Sequence, residues 1–280
     1  MRGFFLSRKP QNPLYKHGNL RYTHLYGTFR KPGTQGENEV NEREIFAYLE
    51  QDRPIRIDMI EALRRNTASV AFAEDGAVLL KTRAGYYLLA GDTEAACDRA
   101  LGAIAEKPRA IVAHGEAARK AVGSRFPFLN GLDPCRQAYY PKTEPIPVPD
   151  VCEIRPFPLD EVPFLLSVYD PDGDAAHYED AVKAGNVLAA YCDGTLAGFI
   201  GFHGDGSGGM LEVLPAFRRR GIGTALEIAL HNLALLRGWT PYGQIRVDNE
   251  ASLKLQESLG MVLSDPDGDV LYWMYETNED

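Results

Sequence analysis

Between Val213 and Leu226 a basic, glycine-bearing turn joins a strand directly to a helix: Val213-Leu214-Pro215-Ala216-Phe217-Arg218-Arg219-Arg220-Gly221-Ile222-Gly223-Thr224-Ala225-Leu226. The first turn of a helix carries N–H groups without intrahelical acceptors and a partial positive charge. Gly221 and Gly223 let a ligand approach the backbone closely, and three consecutive arginines add long-range attraction. The chemistry this suits is phosphate binding, as for a phosphate-bearing cofactor. The segment lacks the Gly-Lys-Ser/Thr ending of a Walker loop and the third glycine of a dinucleotide fingerprint. An ordinary strand-to-helix turn with surface arginines is the alternative.

Other patterns carry less. Asp170-Pro171-Asp172-Gly173-Asp174 and Asp265-Pro266-Asp267-Gly268-Asp269 look like calcium loops, but Ala175 and Val270 stand where the invariant glycine is required, so both read as turns. Cys97, Cys135, Cys152 and Cys192 lack CxxC spacing, so they read as reduced, packed thiols, with neither a metal site nor a disulfide framework. Gly204 to Gly209 reads as a hairpin connection, because a strand follows it.

Those residues need a scaffold, and the patterning supplies one of mixed α/β type. Downstream of residue 150 the expected order is strand 152–155, helices 159–168 and 174–183, strands 186–191 and 195–202 around an Asp193-Gly194 turn, and strand 210–214. Helix 222–237, strand 244–247, helix 250–259 and strand 270–274 complete it. Upstream, a fainter version reads as helices 42–50 and 57–65, strands 69–73, 77–81 and 86–90, helix 93–106, strand 110–113, helix 116–122 and strand 136–140. The later elements of the two halves mirror each other, which suggests a duplicated fold. Four prolines in residues 141–150 mark a semi-rigid linker between them.

Composition narrows the function classes. The 280 residues, 45% hydrophobic and 25% charged, are enough for two soluble domains. No run approaches the roughly 18 to 20 apolar residues of a bilayer span, and no signal-peptide core is present, so a cytoplasmic protein without membrane contact is expected. Residues 1–36 hold seven Lys or Arg and no acid, leaving about −16 for the remainder of a chain whose net charge is −9. The acidic body disfavours nucleic acid and favours cationic substrates such as amines. The basic, aromatic arm of residues 1–36 is expected to lie along that body or a partner subunit, RNA contact being the weaker reading.

The 213–226 segment resembles the acetyl-CoA-binding motif of the GCN5-related N-acetyltransferase (GNAT) family, V-x-P-x-[YF]-R-x-x-G-x-G, at every position. Residues 249–261 are similar to the family's second block, N-x-x-A-x-x-L-Y-x-x-x-G-F, and the resemblance covers about residues 151–276. It implies a tandem GNAT fold with a mixed sheet: a degenerate copy over 1–140, a linker over 141–150 and a catalytic domain over 151–280. It also implies a cofactor set. Arg218 opens the motif, backbone amides of Arg219, Arg220, Gly221, Ile222, Gly223 and Thr224 hold the pyrophosphate, and the Thr224 hydroxyl adds a contact. Main-chain groups of Glu212 and Val213 meet the pantetheine arm, with Asn249 and Ser252 contributing from the second block. Splayed fourth and fifth strands would leave backbone donors for the thioester carbonyl.

The match breaks at Gln256, which stands where the family often has a tyrosine that protonates the departing thiolate. A thiolate is a tolerable leaving group, since a thiol has a pKa near 8.5, and Tyr242 and Tyr272 are candidate substitutes. The acceptor amine must also lose a proton, a deficit of roughly 4 to 5 kcal/mol at pH 7 for an alkylammonium. Glu212 is the first candidate base, because it interrupts the apolar run Met210-Leu211-Glu212-Val213-Leu214. Pairing with an arginine is its alternative. His203 is the second candidate, with simple solvation as its alternative. Tyr169, Asp170 and Tyr178, on helices that by resemblance rim the acceptor site, are the expected substrate-binding residues, joined by Asp172, Asp174 and His177. The expected function is acetyl-CoA-dependent N-acetyl transfer to a primary amine of a small molecule or peptide, by direct attack in a ternary complex and without a metal. The N-terminal half would shape the acceptor site or a homodimer. The rival is a non-catalytic acyl-CoA-binding regulatory or interaction protein.

Overall fold

The structure, a computed structural model, describes residues 37–74 and 76–277, with side chains from residue 42 onward; the expected basic arm over 1–36 lies outside them. Its described residues divide into two compact units, one of residues 37–141 with Gln244–Glu276 and one of Lys142–Gly243.

The N-terminal unit opens with helices α1 (Glu37–Glu50) and α2 (Arg53–Arg64). Pro54 sits in the first turn of α2, where its missing N–H costs nothing, so the helix starts four residues earlier than the patterning predicts. Strands β1 (Ala68–Glu74), β2 (Ala77–Thr82) and β3 (Tyr87–Gly91) form an antiparallel meander. Helix α3 (Glu94–Leu101) then crosses to β4 (Ala110–His114), which runs parallel to β3, and α4 (Glu116–Arg125) leads to β5 (Gly131–Tyr139). α3 ends at Gly102, short of the expected residue 106. On one sheet face Leu79, Leu89, Ile111 and Ala113 pack with Ala100, Leu101, Ala121 and Val122 of α3 and α4.

The unit of Lys142–Gly243 is built on β6 (Glu153–Pro156), β7 (Val187–Cys192), β8 (Thr195–Phe202) and β9 (Gly208–Val213), antiparallel neighbours in that order. Helices α5 (Val162–Tyr169) and α6 (Ala175–Lys183) precede β7, and α7 (Ile222–Leu236) links β9 to β10 (Tyr242–Arg246). Alternation along β7 assigns the two faces, and an extra residue at Ala197 shifts the phase of β8. Val187, Ala189, Tyr191 and Phe199 bury against α5 and α6, whereas Ala190, Ala197, Ile200 and Phe202 bury against Ile222, Leu226, Leu230 and Ala234 of α7. Asn232 of α7 grips the proline-rich linker: its Nδ2 donates to Ile146 O at 2.8 Å and its Oδ1 accepts from Ile146 N at 2.9 Å.

The last elements, α8 (Glu250–Ser258), β11 (Val262–Leu263) and β12 (Leu271–Tyr275), belong to the N-terminal unit. β12 lies between β4 and β5, antiparallel to both, and β11 pairs with β5. The stretch expected to form one domain over 151–280 is therefore divided after Gly243. The reason lies in β12 itself. Leu271, Trp273, Met274 and Tyr275 are buried, and a strand apolar on both faces is stable where it has a partner on each side and no open edge. Each half shows an antiparallel strand pair, a helix and then a parallel strand: β2–β3, α3 and β4 in one, β8–β9, α7 and β10 in the other. Among the described residues no helix is long and apolar enough to cross a membrane.

Candidate functional site

The turn ahead of α7 has the backbone of an anion cradle. Arg219 (φ +65°) and Gly221 (φ +79°) are both left-handed, and alternation of this kind turns successive N–H groups toward one concavity. Gly221 is the N-cap of α7 and offers no side chain, so no capping group covers the helix start, and the first turn holds no acid. The helix ladder begins with Ala225 N donating to Gly221 O at 3.0 Å, which leaves the amides of Ile222, Gly223 and Thr224 without helical acceptors. Arg219, Arg220 and Gly221 are exposed. A Cβ at Gly223 would find only ordinary contacts, 3.6 Å to Val213, so the helix start is not crowded. Arg220 lies over the Phe217 ring at 5.4 Å.

Arg218 turns away from that concavity and back to β9. Its Nε donates to Val213 O at 2.8 Å and its Nη2 to Glu212 Oε1 at 3.0 Å. The Glu212 side chain, 14% exposed, is thus the arginine-paired carboxylate that the sequence allowed, and the Val213 carbonyl is also engaged. Opposite Phe199 to Gly201 the ladder slips by one residue, and Met210 takes φ +54°. This is a bulge in β9, a device that re-aims side chains. Beyond it β9 and β10 share a single parallel register pair, Gly208 with Gly243.

Three expected acceptor residues, Tyr169, Asp170 and Tyr178, lie together, and Tyr169 is near enough to Glu212 to feel its charge. Tyr178 Oη donates to Asp170 Oδ2 at 2.9 Å. Burial raises the Tyr169 phenol, Asp170 and Glu212 add to the effect, and a hydrogen bond from the Met210 amide opposes it. Burial also raises Tyr178, with Asp170 and Tyr169 adding to it. Asp174 is spent capping α6, accepting from Ala176 N at 3.0 Å. His203, just past the end of β8, lies across Gly209, where any side chain would collide with its ring. Burial lowers its pKa; Asp205 opposes the shift and His177 supports it. Of the candidate acids, Tyr242 donates its hydroxyl to Asp205 O at 2.9 Å, and Tyr272 lies under the Arg119 guanidinium at 5.6 Å.

A family model described as "Acetyltransferase (GNAT) family" matches residues 154–261. Residues 154–261 are a GNAT domain. Solved structures agree at the level of fold. A Drosophila protein aligns with TM-score 0.52 at 15% identity over 85% of this chain and 97% of its own. A GCN5-related N-acetyltransferase-like protein from Streptococcus suis aligns at 0.50 and 18% identity over 84% and 99%. A GCN5-related N-acetyltransferase from Kribbella flavida aligns at 0.50 and 14% over 80% and 96%. Such coverage extends well beyond the matched domain, and the N-terminal half also has a GNAT-like fold. The comparison with curated proteins finds no match. The family's general chemistry is acetyl transfer from an acyl-CoA.

The second GNAT block lies in the N-terminal unit. Asn249 caps α8, its Oδ1 accepting from Ser252 N at 3.2 Å, so these two expected cofactor residues are bonded to each other. Gln256 is buried, and its Oε1 has no hydrogen-bond partner among the described residues. The turn before α3, the counterpart of the cradle in the GNAT-like first half, is closed to anions: Asp92 brings a negative charge and Thr93 Oγ1 already accepts from Ala96 N at 3.2 Å. That copy also holds a buried polar cluster the sequence reading missed. His114 Nε2 faces Asp58 Oδ1 at 2.8 Å, His114 Nδ1 donates to Leu89 O at 2.9 Å, and Gln137 Nε2 donates to Asp58 Oδ1 at 2.8 Å and also to Ile55 O.

Proposed function

We propose that this protein is an acetyl-CoA-dependent N-acetyltransferase acting on a primary amine of a small molecule or peptide. The observation that carries the reading is the open, uncapped start of α7, where Arg219 and Gly221 are left-handed and the arginines are exposed. A diphosphate fits the chemistry of that donor set: backbone amides from Arg219 to Thr224 would hold it, with Arg219 and Arg220 supplying charge. Acetyl-CoA would bring the acyl group as a thioester. The chain's own residues would do the rest. Asp170, held by the Tyr178 hydroxyl, and Glu212, paired with Arg218, would attract and orient an ammonium group. His203, kept neutral by burial, takes the amine proton directly or through water. Glu212, with Oε1 committed to Arg218, serves better as an orienting anion than as the base. Gln256 cannot donate the proton a tyrosine would, so the thiolate leaves unassisted, at a tolerable cost for a group of pKa near 8.5.

Thiol release from acetyl-CoA with a broad amine panel tests the reading. Gly221→Glu, which puts a negative charge into the cradle, abolishes it. Full activity in that variant removes the assigned site, and a Glu212→Gln rate profile unchanged from pH 6 to 9 removes Glu212 from the chemistry. Gln256 and the Arg218 hold on Glu212 favour a second reading, a non-catalytic acyl-CoA-binding protein, marked by coenzyme A binding without turnover on any amine.

A further inference from the structure

We propose that Cys152 and Cys192 are a redox-responsive pair that forms a cross-strand disulfide beside the α7 cradle. Two observations place the thiols together. The β6–β7 register pairs Glu153 with Tyr191 and Ile154 with Ala190, and one step outward sets Cys152 opposite Cys192. Period-two alternation puts both on the Ile154 and Ala190 face, and both pack against the same α7-side core. Directly opposed residues of an antiparallel pair have Cβ atoms about 4.5 to 5.5 Å apart, a spacing that small adjustments bring into the disulfide range. The second observation is local: Cys192 Sγ contacts Val151 O at 4.0 Å, on the residue next to Cys152.

Access and consequence are both legible. An open cavity of about 450 Å³ between the linker and α7 is lined by Pro149, Cys152 and Asn232, so a small reagent reaches Cys152. Val151 forms part of the cradle's wall, its Cγ1 3.8 Å from where a Gly221 Cβ would stand. A 152–192 disulfide would therefore fix the end of the linker and hold Val151 at the edge of the anion turn. The other two cysteines are buried, and burial pushes Cys97 up to about 11 and Cys135 up to about 12, which protects them. Burial, with a smaller effect of Cys192, also raises Cys152, so the exchange runs faster at mildly alkaline pH.

The oxidant is a small-molecule disulfide. A thiolate of the pair attacks it and expels one thiolate; the second cysteine thiolate then attacks the mixed disulfide and expels the other. Two reagent thiols form, carrying the two protons and the two electrons.

The test treats the folded full-length protein with oxidised glutathione at pH 8.5, quenches it, and counts thiols after denaturation. The expected result is a fall from four thiols to two, a peptide map joining the Cys152 and Cys192 fragments, reversal by dithiothreitol, and a melting temperature higher by on the order of 5 °C. Cys152→Ser and Cys192→Ser each abolish the rise in melting temperature. Four thiols retained, or a map joining any other pair, overturns the proposal. The significance for the cradle rests on the coenzyme A reading, and a coenzyme A titration of the reduced protein separates the two. No binding there removes the cofactor reading while leaving the disulfide; binding with four thiols retained removes the disulfide alone.

Discussion

Arg218 and Glu212 show how one side chain settles between two roles. A carboxylate inside an apolar strand must find a partner, and Arg218, six residues on, supplies it while also bonding the Val213 carbonyl. Arg218→Met should lower stability by about 1 kcal/mol, since both groups keep some solvent, as a urea midpoint shift would show; an unchanged midpoint means the pair contributes nothing. The buried pair in the N-terminal unit is under tighter constraint. The Leu89 carbonyl can only accept, so His114 Nδ1 carries a proton, and the short contact from Nε2 to Asp58 requires another between them. Asp58→Ala should cost about 3 to 5 kcal/mol, because it leaves His114 and Gln137 buried without their acceptor. A loss under 1 kcal/mol in urea denaturation would contradict this. Glu212 was legible in sequence because its neighbours are apolar. Asp58 and His114 were not, since they are 56 residues apart and meet only when α2 lies over β4.

At the scale of elements, what local patterning controls was read well and what tertiary contact controls was not. The helix and strand types from β6 through α8 follow from periodicity and from the Asp193-Gly194 turn. The end of α3 moved because the chain tightens to i+3 hydrogen bonds from Gly102 to Ile104, and the start of α2 moved because Pro54 is tolerated there. The linker was legible as proline-rich and extended, but its attachment to α7 through the amide of Asn232 was not. Asn232→Ala should release the linker and speed tryptic cleavage after Lys142 several-fold under native conditions. A cleavage rate matching the parent protein would show that the attachment is not what protects the segment.

For the molecule as a whole, a duplicated order was visible in the sequence, whereas the allocation of its final strand was not. β12 is separated from β4 and β5 by more than a hundred residues, and nothing in Leu271 to Tyr275 names its neighbours. A chain ending at Gly243 should lose the cooperative unfolding of the N-terminal unit, because β4 and β5 would each expose an apolar edge. Retention of a cooperative transition and of native amide protection in residues 42–141 would contradict that allocation. The proposed activity requires the head of α7 to hold the diphosphate of coenzyme A. Isothermal titration of the full-length protein with coenzyme A tests this most directly. The account predicts one site per chain in the micromolar to millimolar range, lost in Gly221→Glu. Absence of binding heat, or unchanged affinity in that variant, would contradict it.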